Sequence, residues 1–96
     1  NSIYIIFNNS FERDDFFVCP EGSIQFITTD EQKAREVFET HRKFCREDVL
    51  GSLKWHYEYN LVRYDDGWKA LNIDGKECEE LDSVDNEPEE SETIQN

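Results

Sequence analysis

Hydrophobic and polar positions follow three successive patterns along the chain. Ser2 to Asn8 is rich in β-branched and aromatic residues and predicts a strand, with Asn9-Ser10 as turn residues behind it. Phe16 to Cys19 and Ser23 to Thr28 predict two short antiparallel strands around Pro20-Glu21-Gly22. After Thr28 the period lengthens. Ala34, Val37, Phe38, His41 and Cys45 share one stripe of a helix expected over Asp30 to Arg46, with Phe44 at its border. Either Thr28 or Thr29 suits its N-cap, Asp30 and Glu31 suit the positive end of its dipole, and Arg42, Lys43 and Arg46 suit the negative end.

From Leu53 to Tyr64 the pattern alternates, with Leu53, Trp55, Tyr57, Tyr59 and Leu61 on one face and Lys54, His56, Glu58 and Asn60 on the other. This predicts one long, half-buried strand. Asp65-Asp66-Gly67 then reads as a hairpin turn, Trp68 to Ile73 as the returning strand, and Asp74-Gly75 as a further turn. The order βββαββ predicts an α+β fold: a small antiparallel sheet of about five strands, covered on one face by a single amphipathic helix.

Charge divides the chain differently. The 96 residues carry 23 acids against 10 bases, a formal charge of −13. Residues 1–76 hold 14 acids and all 10 bases, a net −4, whereas 77–96 hold nine acids and no base. All seven Phe, four Tyr and two Trp lie between Tyr4 and Trp68. The expected organisation is therefore one folded domain over 1–76 and an acidic, flexible tail over 77–96, with Asp82 to Asn96 disordered when alone.

An acidic balance disfavours direct duplex DNA binding and anionic membranes, which need a basic footprint. No apolar run approaches the roughly 20 residues of a membrane-spanning helix. Three scattered cysteines, Cys19, Cys45 and Cys78, suit a reducing cytoplasm better than a disulfide framework.

Chemical motifs are sparse. No nucleophile elbow, phosphate-binding loop, dinucleotide fingerprint or H-E-x-x-H helix occurs, so no catalytic residue, cofactor or metal is expected. His56 and Glu58 could act as a base and its orienter, but read more simply as an exposed polar pair. A zinc set can be drawn from His41, Cys45, Cys19 and Cys78. It lacks the close cysteine pairs of structural zinc sites, and His41 and Cys45 already belong to the apolar stripe. Trp55, Tyr57 and Tyr59, with Lys54, Arg63 and Lys69, could form a stacking face for single-stranded nucleic acid, autoinhibited by the tail. The same aromatics read as core beneath a helix. Arg42, Lys43 and Arg46 could dock the acidic tail in cis.

The acids offer the remaining chemistry. Glu12, Asp14, Asp15, Asp65, Asp66 and Asp74 fall in expected loops and turns, and Glu77, Glu79, Glu80, Asp82 and Asp85 open the tail. Together they could present phosphate-like charge to a basic cleft. On these acids and on its length, the chain resembles small phage-encoded inhibitors, the anti-restriction and anti-CRISPR proteins that mimic nucleic acid. The resemblance implies a non-enzymatic cytoplasmic protein that binds the basic groove of a nucleic-acid-binding protein or nuclease, such as a host defence nuclease or CRISPR effector, and blocks it by mimicry and steric cover. A plain regulatory subunit is the blander alternative.

Overall fold

The computed structural model describes residues 2–14, 22–65 and 78–87. These residues form strands β1 (Ile3–Asn8), β2 (Phe11–Glu12) and β3 (Ser23–Thr28), helix α1 (Glu31–Glu47) and a 3₁₀ turn (Gly51–Leu53). Strands β4 (Trp55–His56), β5 (Glu58–Tyr64) and β6 (Cys78–Asp85) complete them. The α+β class is as expected, but the strand count and order differ. A four-stranded sheet runs β3-β1-β5-β6 with every pair antiparallel, and β2 and β4 form a separate two-stranded ribbon.

Strand β1 is central, which explains its unbroken apolar run. Tyr4 and Ile6 point to the helix side and pack with Ala34, Phe38 and Cys45 of α1 and with Tyr59 and Leu61 of β5. Ile5, on the opposite face beside Ile27 and Val62, is also fully buried. The helix takes its cap from Asp30 and not from either threonine. Its carboxylate accepts from the Gln32 and Lys33 amides, and Thr28 Oγ1 accepts from the Asp30 amide. An acid serves better here because it both accepts the orphan amides and complements the dipole.

Two expectations fail for identifiable reasons. The alternation over Leu53 to Tyr64 is broken at Tyr57, whose amide donates to Asn86 Oδ1, while Ser10 Oγ accepts from the Glu58 amide. These side chains take backbone positions that a continuous ladder would use. Trp55 and His56 pair instead with Glu12 and Phe11. Leu53, in the 3₁₀ turn, and Trp55, on β4, lie outside the core, at 76% and 38% exposure.

The second correction concerns the tail. Eight of its residues, Cys78–Asp85, form β6, paired along the whole of β5. Leu81 and Val84 both pack against the core, although they stand three apart. A bulge makes this possible by leaving Leu81 as an extra residue between the pairs Leu61 with Asp82 and Val62 with Glu80. The repulsion expected of an acidic strand is met in cis: Arg63 pairs with Glu79 at 2.7 Å, Arg42 with Asp82, and Asn60 donates to Glu80 at 2.7 Å. The anticipated docking of the tail on the helix end is thus realised at Arg42. The expected strands Phe16 to Cys19 and Trp68 to Ile73 lie outside the described residues. The neighbours of β5 are β1 and β6.

Candidate interaction surface

The helix ends in a turn built around one carboxylate. Asp48 Oδ1 accepts from the Gly51 amide at 3.1 Å, and Oδ2 accepts from the Tyr57 hydroxyl at 2.7 Å. That hydroxyl's pKa is pushed up to about 12, first by the Asp48 hydrogen bond and then by burial. Ser52 donates through its amide to Asp48 O and through its hydroxyl to Val49 O, and Arg13 Nε donates to Ser52 O at 2.8 Å. Glycine at 51 leaves room for this pairing, because a Cβ there would lie 2.0 Å from Asp48 Oδ2 and 2.3 Å from the Tyr57 hydroxyl oxygen and would displace one of them.

This firmly bonded turn holds apolar side chains out to solvent. Val49, Leu50 and Leu53 are 67%, 81% and 76% exposed, and Trp55 follows on the ribbon. Beside them runs a groove of about 570 Å³, with Arg42 and Arg46 of α1 on one wall and Asp85, Asn86 and Glu87 on the other. Val49 and Ser52 form part of its lining. Asn86 Nδ2 also donates to Trp55 O at 3.0 Å, which ties the end of β6 to the ribbon.

His56 is the hub of that junction. Its Nδ1 lies 3.0 Å from Glu87 Oε1 and its Nε2 lies 3.1 Å from Glu58 Oε1; its ring stacks on Phe11 at 4.6 Å. Carboxylates only accept, so both ring nitrogens carry protons in this arrangement. Burial alone would lower the His56 pKa, but the hydrogen bonds to Glu87 and Glu58 outweigh it and leave the pKa raised. Glu87 is in turn held below the usual carboxylate range, first by His56 and then by Arg13, whose guanidinium lies 2.6 Å away. The sequence reading of His56 as an exposed polar residue is therefore wrong: only 12% of its side chain is accessible.

The expected acidic set is dispersed. Glu79, Glu80, Asp82 and Asp85 share β6, Glu12 stands opposite Trp55 on β2, and Asp14 is exposed just beyond it. Asp65 sits at the far end of β5, where it accepts from Ser2 Oγ and lies 3.4 Å from Arg63 Nε. Asp15, Asp66, Asp74 and Glu77 lie outside the described residues, as does Lys69. The aromatic set forms no single face. Tyr59 is in the core against the edge of His41, Tyr57 packs on Phe44, Trp55 belongs to the ribbon, and Arg63 is engaged by Glu79. The drawn zinc set does not assemble among the described residues either. Cys45 is a buried core residue whose thiol burial pushes up, Cys78 begins β6 opposite Tyr64, and Cys19 is not described.

The apolar knob is what the sequence reading missed. Leu53 and Trp55 share the parity of Tyr59 and Leu61, so periodicity assigns them to the core; the 3₁₀ turn takes Leu53 off the strand, and Trp55 lies beyond the break at Tyr57, set by Asn86 nearly 30 positions away.

The fold defines a class, a two-layer α+β domain with one helix across a four-stranded antiparallel sheet. No family model, curated protein or solved structure matches the chain. Among the described residues, no helix is long and apolar enough to cross a membrane.

Proposed function

We propose that this chain is a binding protein, not an enzyme, that occupies a basic groove on a nucleic-acid-handling protein and blocks it. The observation that carries the reading is the knob of Val49, Leu50, Leu53 and Trp55, exposed on a turn fixed by its own hydrogen bonds and flanked by Asp85, Glu87 and Glu12. Apolar residues grouped in this way on a small protein favour an interface over a solvated surface. A tryptophan among leucines, with charge at the rim, suits an affinity centre. The turn is ordered before binding, so little conformational freedom is lost on contact.

The acids contribute a different quantity. A formal charge of −13 attracts a cationic partner over distance and raises the association rate. As an imitation of nucleic acid, β6 is sparse. Its four carboxylates over eight residues, at about 3.4 Å per residue, stand about 7 Å apart, against about 3.4 Å between charges along one DNA strand. Two of them, Glu79 and Asp82, are already paired with arginines. The acids therefore steer, and the knob supplies the specificity.

The test is capture by the immobilised chain from its native host after nuclease treatment, in parallel with Leu50→Asp/Leu53→Asp. Each captured protein is then assayed for release of a fluorescent oligonucleotide. The expected result is a nucleic-acid-binding protein, retained by the wild type and lost by the variant, whose oligonucleotide is displaced. Capture that ignores the substitutions, or a partner list with no such protein, overturns the proposal.

A further inference from the structure

Among the described residues, one set of ligand-type side chains converges: His56, Glu58 and Asp85 bring ligand atoms within 4.8 Å of one another. Their backbone positions are fixed independently of any ion. Glu58 and Asp85 are directly opposed on β5 and β6. His56 precedes Glu58 by two residues, across the bend at Tyr57 that Asn86 pins.

We propose that His56, Glu58 and Asp85 bind a divalent first-row metal ion, with Glu87 orienting the imidazole from behind. Three observations converge on it. Carboxylates opposed on neighbouring strands repel, a cost that the His56–Glu58 hydrogen bond offsets only in part and that an ion held between Glu58 and Asp85 would relieve. Within the cluster, Glu58, Asp85 and Glu87 contribute three negative charges against one from Arg13 and at most one from His56, while Arg42 and Arg46 stand across the groove from Asp85. Finally, Glu87 holds Nδ1 at 3.0 Å and is itself held by Arg13, so Nε2 is directed at Glu58. A ligating histidine whose other nitrogen is fixed by a carboxylate is the usual outer-shell arrangement of metal sites.

One imidazole and two carboxylates suit Zn²⁺ or a neighbouring ion bound at about 2.0–2.2 Å, which in a tetrahedral site places its donors about 3.3–3.6 Å apart. Nε2 and Glu58 Oε1 are already at 3.1 Å, and a rotation of the exposed Asp85 side chain brings in the third donor. On binding, the ion replaces the Nε2 proton, which passes to solvent. Water completes the coordination.

The experiment is calorimetric titration of the full chain with ZnCl₂, in a Cys19→Ser/Cys78→Ser background that removes thiolate competition. One saturable site is expected, weakened about 10-fold or more by H56Q and by D85N, and by about 10-fold by E87Q. Asp85 is exposed, so D85N keeps its fold, which an unchanged melting curve in chelator verifies. If H56Q unfolds, D85N and E58Q carry the test. The absence of saturable binding up to about 1 mM Zn²⁺, or binding unchanged in D85N, overturns the assignment.

Discussion

Phe38 and Leu53 show how differently two apolar residues of this chain act. Phe38 is 1% exposed at the centre of the helix–sheet interface, beneath the Arg42 guanidinium. Phe38→Ala removes an aromatic side chain from the buried core and should cost about 3–5 kcal/mol in urea unfolding. Leu53→Asp touches no core contact and should move the same measurement by no more than about 0.5 kcal/mol. A large loss of stability at Leu53 would mean that the knob is structural and not a binding surface. Gly51→Ala lies between the two cases. The added Cβ displaces the Asp48 carboxylate or the Tyr57 hydroxyl, so the hydrogen bond between them should break and the turn should loosen.

At the scale of elements, most of the architecture was legible where one element sufficed to specify itself. The stripe of Ala34, Phe38 and Cys45 identified α1, and the apolar run Ile3 to Phe7 identified the central strand. Strand β6 was not legible. Its two apolar residues fall out of phase because of the bulge, and three of its acids find partners elsewhere in the sequence, Asp82 and Glu79 in ion pairs with Arg42 and Arg63 and Glu80 in a hydrogen bond from Asn60. The knob was hidden by the same kind of long-range cause. A chain ending at Lys76 should accordingly lose cooperative unfolding and expose the β5 amides to fast hydrogen exchange; an unchanged melting transition would reduce β6 to an appendage.

The junction of ribbon and β6 should also respond to pH. In the metal-free protein His56 titrates above its unfolded value of 6.5, so its contribution is complete below that value and is lost as pH rises through the folded pKa. Glu87 titrates below its unfolded 4.5, so its contribution is present above that value and is lost as pH falls through the folded pKa. The two overlap fully between these unfolded values. In chelator, the difference in melting temperature between wild type and Glu87→Gln should peak near about pH 5.5 and shrink on either side. A difference that is flat with pH would show that the His56–Glu87 contact does not form in solution.

For the whole molecule, the proposed binding role divides its work between charge and apolar contact. Of the nine acids in 77–96, four lie on the paired strand β6, and one of these, Asp85, lines the groove beside the knob. Such a protein should find a basic partner quickly and hold it through Leu50, Leu53 and Trp55. The two contributions separate kinetically: salt should slow association, whereas Leu50→Asp/Leu53→Asp should chiefly speed dissociation. The most direct measurement is displacement of a fluorescent oligonucleotide from the captured partner, followed against salt. The wild type should displace the oligonucleotide at low salt, with displacement strongly weakened between about 50 and 500 mM salt and abolished at every salt by Leu50→Asp/Leu53→Asp. Failure to displace, or displacement indifferent to both salt and the substitutions, would contradict the proposed binding role.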